Sequence, residues 1–140
     1  MISPEKGVLA CRDVGDGKMP KEEVLVNYIL KEIAYPKDLV GKKVIVTAGP
    51  TQESIDPVRF ITNHSSGKMG YALARSAFLM GGDVILISGP THINKPYGVK
   101  TIDIITAKQM HDEIINRVQD FDYIIMSAAV GDYHCQKIAQ

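Results

Sequence analysis

Short β-rich runs alternate with helix-like segments along most of this chain, and no other feature limits the fold as strongly. Lys43-Val44-Ile45-Val46-Thr47-Ala48 is apolar and β-branched and ends in Gly49-Pro50. Asp83-Val84-Ile85-Leu86-Ile87-Ser88 repeats the pattern and closes with Gly89-Pro90. Lys100 to Ile105 and Tyr123 to Val130 are read as a third and a fourth strand. Between the first two, residues 67–80 are expected to be helical. Met69, Ala72, Leu73, Ser76, Ala77 and Met80 fall on one face, and Gly81-Gly82 stops the helix. Thr106 and Gln109 form a capping box that opens a helix with Met110, Ile114 and Val118 on one side. Near-continuous apolar strands separated by helices predict a parallel sheet covered on both faces. With right-handed crossovers, the expected fold is α/β, a Rossmann-like three-layer sandwich with a mainly parallel sheet. Ligands bind such sheets at the carboxyl ends of the strands. Those ends carry small residues here: Ala48-Gly49-Pro50-Thr51, Ser88-Gly89-Pro90-Thr91 and Ala128-Ala129-Val130-Gly131-Asp132. A six-stranded version would need more chain after Asp132, so truncation at the C-terminus is expected.

Residues 1–20 show little pattern, and Asp13-Val14-Gly15-Asp16-Gly17 is read as loop chemistry. Lys21 to Ile33 is read as a helix with Leu25, Tyr28, Ile29 and Ile33 on one face. Pro36 and Gly41 bracket a linker, which places the domain boundary near residue 40, with 1–40 and 41–140 as separate parts. Lys+Arg and Asp+Glu are 16 each, so a nucleic-acid binder with a broad basic face is disfavoured. Two cysteines, Cys11 and Cys135, make neither a disulfide framework nor a CxxC pair. No apolar stretch reaches membrane-spanning length and no signal peptide is recognisable, so the chain reads as cytoplasmic. His64, His92, His111 and His134 lack metal-ligand spacing, and no metal site is expected.

The connection from about Gly49 to Ser66 is far longer than the 2–6 residues usual between strand and helix. It holds Arg59, Asn63, His64, Ser65 and Ser66 and runs into Gly67-Lys68 at the helix start. A helix N-terminus with small residues and a lysine attracts phosphate or carboxylate. The blander reading makes Ser65 or Ser66 an N-cap and the glycines packing residues. GxGxxG and GxxxxGK[ST] are both missing after the first strand. Asp132 is read either as a ligand to a base, a ribose or a magnesium ion, or as a turn residue. Cys11 in its glycine-bearing loop reads first as an inert thiol.

Gly49-Pro50-Thr51-Gln52-Glu53 followed by Ile55-Asp56-Pro57-Val58-Arg59-Phe60-Ile61-Thr62-Asn63-His64-Ser65-Ser66-Gly67-Lys68-Met69-Gly70 closely resembles phosphopantothenoylcysteine synthetase. Ser88-Gly89-Pro90-Thr91 and Ala128-Ala129-Val130-Gly131-Asp132-Tyr133 resemble it too. Leu9-Ala10-Cys11-Arg12-Asp13-Val14-Gly15-Asp16-Gly17-Lys18-Met19 resembles the closing segment of phosphopantothenoylcysteine decarboxylase. The pair points to the bifunctional flavoprotein in which the two are fused. The resemblance makes 1–40 a decarboxylase tail with a linker helix, and 41–140 the N-terminal part of the synthetase domain. It implies CTP-dependent ligation of 4′-phosphopantothenate to cysteine through an acyl-cytidylate, in coenzyme A biosynthesis. It also implies Mg2+ beside the phosphates, a homodimer, and FMN and lyase activity only in the fused decarboxylase. By matching position, Asn63 is the catalytic residue that handles the acyl-cytidylate. Gly49, Ser66, Gly67 and Lys68 border the phosphates, Ala128, Ala129 and Asp132 line the cytidine pocket, and Arg59 organises the loop or meets the substrate phosphate. Cys11 matches the decarboxylase cysteine.

The departures from the family are specific. The family's lysine-rich stretch beyond the aspartate is not found before Gln140, which implies that this chain is incomplete for catalysis. Arg12 stands where the decarboxylase motif has glycine, Gly131 where alanine is usual and Ser54 where proline is usual. Two competing readings are an NAD(P)-dependent Rossmann-fold reductase and a non-catalytic dimerisation or binding fragment. For the reductase, Tyr133 and Lys137 have the Tyr-x-x-x-Lys spacing; the missing glycine fingerprint speaks against it.

Overall fold

The computed structural model describes residues 2–137. It divides into two compact units between Pro36 and Lys37.

The first unit contains an antiparallel hairpin of β1 (Glu5–Val8) and β2 (Val14–Lys18), then helix α1 (Glu22–Ile33). The stretch Asp13–Gly17, expected as loop, thus mostly forms the second strand of the hairpin. Its glycines Gly7 and Gly15 pair across the ladder. α1 does not bury the expected stripe. Val24 is the buried residue, Leu25 and Tyr28 are half-buried, and Ile29 and Ile33 are 55% and 74% exposed. A short hairpin offers too little apolar surface to cover a three-turn helical face.

The second unit is the α/β layer structure expected from the sequence. Its strands are β3 (Lys43–Ala48), β6 (Asp83–Ser88), β7 (Lys100–Asp103) and β8 (Tyr123–Met126). They form a wholly parallel sheet in the order β7-β6-β3-β8. The sheet reverses direction of growth at β3, and such a switch point leaves a crevice at the strands' carboxyl ends. Helix α2 (Lys68–Leu79) covers one face and helix α3 (Ala107–Ile115) the other. Ile45, Ile87, Ile104 and Met110 pack together on the α3 side. Residues one step along the same strands, Val44, Val46, Val84 and Leu86, are also buried. That two-sided burial is why β3 and β6 read as unbroken apolar runs.

Three expectations need correction. α2 presents Gly70, Tyr71, Ala74, Ala77 and Phe78 to the interior, while Met69 is 71% exposed. The true interface uses small residues, so weighting large side chains selects a face about one position away. A Cβ on Gly70 would lie 2.5 Å from Ala48 Cβ and 2.7 Å from the Thr47 carbonyl, so helix backbone rests directly on β3. Next, α3 ends at Ile115, and Val118 belongs to a separate 3-10 turn, Val118–Asp120. Finally, β7 and β8 end at Asp103 and Met126, earlier than read. β8 is an edge strand, so Tyr123, Ile124 and Met126 stay 50%, 36% and 63% exposed despite their apolar character.

Candidate functional site

The long connection after β3 is ordered by a second hairpin, β4 (Gln52–Ser54) with β5 (Phe60–Thr62). Its turn is set by Asp56. Oδ1 of Asp56 accepts hydrogen bonds from the backbone amides of Val58 and Arg59, and Oδ2 accepts from Arg59 Nε at 2.7 Å. The Arg59 guanidinium and these two amides hold the Asp56 carboxyl below the usual carboxylate range. At the base of the hairpin, Thr62 Oγ1 donates to the Thr51 carbonyl at 2.7 Å.

Beneath the hairpin, three loops meet through glycines. Gly49 and Gly67 have φ of 74° and 77°, the left-handed region that side chains rarely adopt. A Cβ on Gly89 would fall 1.7 Å from the Pro50 carbonyl oxygen. A Cβ on Gly67 would lie 3.3 Å from Gly49 Cα and 2.8 Å from Thr91 Cγ2. The ends of β3 and β6 and the start of α2 therefore share one floor, where glycine backbone meets glycine backbone and the Thr91 methyl packs on both Gly49 and Gly67.

α2 begins above that floor. Its N-cap is Gly67, not the serine of the blander reading; Ser65 Oγ instead accepts the Gly67 amide at 3.3 Å. The first-turn amides lie beyond the reach of any carbonyl in their own helix, so this end carries partial positive charge. Lys68, the first helical residue, is exposed and adds a full one.

The loop after β8 closes the other side. Ser127 and Ala128 amides both donate to Thr47 Oγ1, at 3.0 and 3.1 Å. The Ala129 amide donates to the Gly49 carbonyl, and the Gly131 amide donates to Thr51 Oγ1 at 2.8 Å. In return, the Thr51 amide donates to the Ala129 carbonyl. Asn63 Nδ2 reaches across from the hairpin and donates to the Ala129 and Val130 carbonyls, at 3.1 and 3.2 Å.

The resulting cleft, of about 430 Å³, is lined by Asn63, Ser66 and Lys68 together with Gln52, Thr62, Ser65, Thr91 and His92. Gly49 and Gly67 lie in its floor, and Asn63 brings Ala129 to its edge. Ala128, one residue earlier, packs its side chain against the α3-side core of Ile45, Ile87, Ile104 and Met110 and does not line the cleft, contrary to the expectation. Asp132 is exposed just past Gly131. Arg59 is at the hairpin turn, paired with Asp56, and is not among the lining residues. Cys11 belongs to the first unit and is exposed in the turn between β1 and β2. Gln52, Thr62, Thr91 and His92 were missed from sequence. Thr91 had a visible clue, because Gly89-Pro90-Thr91 repeats Gly49-Pro50-Thr51 at an equivalent strand end. Among the described residues, no three His, Cys, Asp or Glu side chains gather as a metal site, and no helix is long and apolar enough to cross a membrane. Residues 133–137 are not helical, so Tyr133 and Lys137 do not share a helix face.

Comparison with known proteins places this architecture. The chain is 48% identical over 137 residues to the coenzyme A biosynthesis bifunctional protein CoaBC of Vibrio cholerae, covering 98% of this chain and 34% of that protein. It is 44% identical over 135 residues to the CoaBC of Bacillus subtilis, covering 94% and 33%. The chain thus spans about a third of the length of the curated relatives it matches. Among solved structures, the crystal structure of the C-terminal domain of a CoaBC superposes with a TM-score of 0.68 at 50% identity, over 71% of this chain and 51% of that one. The DNA/pantothenate metabolism flavoprotein from Streptococcus pneumoniae gives 0.62 at 37%, over 66% and 42%. The model of the DNA/pantothenate metabolism flavoprotein C-terminal domain matches residues 39–140, and the chain belongs to that family.

Proposed function

We propose that this chain supplies the nucleotide- and phosphopantothenate-binding half of a CTP-dependent phosphopantothenate–cysteine ligase of coenzyme A biosynthesis, acting in the cytoplasm as a homodimer. The observation that carries the reading is the Asn63 bridge. It joins the hairpin to the 128–131 loop above a glycine floor and a helix N-terminus, within this family. A triphosphate fits that floor, because glycine backbone, first-turn amides and Lys68 all favour anions. Ala129 and Asp132 then face the cytidine, with Ser66, Gly67 and Gly49 beside the phosphates. Mg2+ enters with the nucleotide, since it keeps several waters and binds largely through substrate phosphates. Flavin chemistry and Cys11 belong to the decarboxylase part of the fused enzyme, and no step here uses them.

In this reading the pantothenate carboxylate oxygen attacks the α-phosphorus of CTP and pyrophosphate leaves. The cysteine amine then attacks the acyl carbon, loses a proton, and displaces CMP. Both protons of Asn63 Nδ2 already serve the loop carbonyls, so to bond the acyl oxygen Asn63 must exchange one of them. Arg59, held by Asp56, keeps the hairpin in shape rather than meeting the phosphate.

The test is a thermal shift of the chain with Mg2+ and CTP, beside ATP and NADPH. A ligand that binds only the folded state raises the midpoint by mass action. A rise with CTP that exceeds both controls is expected. A rise with NADPH alone restores the reductase, and no rise with CTP removes nucleotide binding from this chain.

A further inference from the structure

We propose that Thr51 is a positioning residue for this site, whose buried hydroxyl sets the loop Ala128–Asp132 relative to Asn63. The proposal rests on reading that loop as a nucleotide wall. Thr51 is fully buried. The hydroxyl oxygen accepts the Gly131 amide at 2.8 Å, one residue before Asp132. The Thr51 amide donates to the Ala129 carbonyl, the same oxygen that Asn63 Nδ2 reaches at 3.1 Å. Its own carbonyl accepts from Thr62 Oγ1, one residue before Asn63. One residue therefore fixes both partners of the Asn63 bridge, the hairpin on one side and the loop on the other. Thr47 and Gly49 hold the earlier part of the same loop, at 127–129. Thr51 alone among these three holds it at Gly131, where the chain turns out toward Asp132. A lost bond here leaves the half-buried Gly131 amide facing a methyl group where its acceptor stood, so the loop shifts to recover a partner.

The experiment compares Thr51→Val and Thr51→Ser in the full chain, by amide hydrogen exchange and by calorimetric titration with Mg2+ and CTP. Valine keeps the shape and removes the acceptor; serine keeps the acceptor. The expected result is faster exchange at Gly131 in the valine variant while β3 amides stay protected, with CTP binding about tenfold weaker. Serine restores both. Equal loss of protection along β3 makes Thr51 a plain core residue and overturns the proposal. So does unchanged exchange at Gly131, or faster exchange there with wild-type CTP affinity. If the wild-type chain binds no CTP, the functional reading fails, and Gly131 exchange still decides whether Thr51 sets the loop. Should the valine variant not fold, Thr51→Ala removes the same acceptor with less bulk.

Discussion

Arg12 occupies the turn of the first hairpin at φ 71°, the one described non-glycine residue with positive φ. Its amide donates to the Leu9 carbonyl, and the Leu9 amide donates to the Asp13 carbonyl at 2.8 Å. The turn demands the left-handed region, which costs an L-residue about 1 kcal/mol or more. The decarboxylase motif that this segment resembles implies glycine at this position, and the geometry favours glycine there. Glycine lowers that cost but gives back a few tenths through its freer unfolded chain. Arg12→Gly is expected to stabilise the hairpin by about 0.5–1 kcal/mol. The measurement is exchange of the Leu9 amide, which slows by roughly two- to fivefold at that gain. Unchanged exchange refutes the strain argument. The same backbone logic explains why single residues at the site were hard to read. Gly49, Gly67 and Gly89 declare themselves as glycines in sequence, but their closeness to one another is a property of three separate loops.

At the scale of elements, β3 and β6 were legible because burial on both faces leaves an unbroken apolar run. The Thr106–Gln109 capping box is present as read, because its partners are three residues apart and depend on nothing distant. What could not be read was which side of α2 faces the sheet, since Gly70 and Ala74 do their packing by being small. The β4–β5 hairpin hid inside a long connection because its strands are three residues each, below any periodic pattern. A clamp between strand starts was equally invisible. Asp122, just before β8, accepts from the Lys43 amide at 2.9 Å and from Lys42 Nζ at 3.1 Å, next to the start of β3. The Lys43 amide, then Lys42, hold its carboxyl below the ordinary carboxylate value, and Asp122 in turn raises the Lys42 ammonium. A carboxylate with a depressed folded pKa contributes stability that is present above its unfolded pKa and lost as pH falls below it. Lys42 has the opposite sign: its contribution holds below the unfolded lysine value and fades above it. Both groups are exposed, so solvent screens the pair and the effect is modest. Asp122→Asn is expected to lower the neutral-pH melting midpoint slightly and to flatten its decline below the carboxylate range. Parallel acid limbs for the two proteins refute the clamp.

For the whole molecule, the two units differ in what holds them. The unit from Lys37 onward buries Ile45, Leu86, Ile87 and Met110 almost completely. Each such side chain stabilises by roughly 1.5–3 kcal/mol. The unit ending at Pro36 buries Val24 and leaves Val8, Val14, Ile29 and Ile33 more than half exposed. On that difference the sheet unit, which holds every element of the candidate cleft, does not need the first unit for its stability. The segment 34–36 carries exposed Ala34, Tyr35 and Pro36, the sort of surface stretch that proteases enter. Brief elastase treatment of the native chain is therefore expected to cut after Ala34, since the bond after Tyr35 is protected by Pro36, and to leave the C-terminal product intact. The product should keep the cooperative melting transition and any shift produced by Mg2+ and CTP. A product that melts without cooperativity shows that the first unit completes the sheet unit's core. A product that melts normally but no longer responds to the nucleotide moves part of the binding site to residues before the cut, because all the cleft residues named here remain in the product.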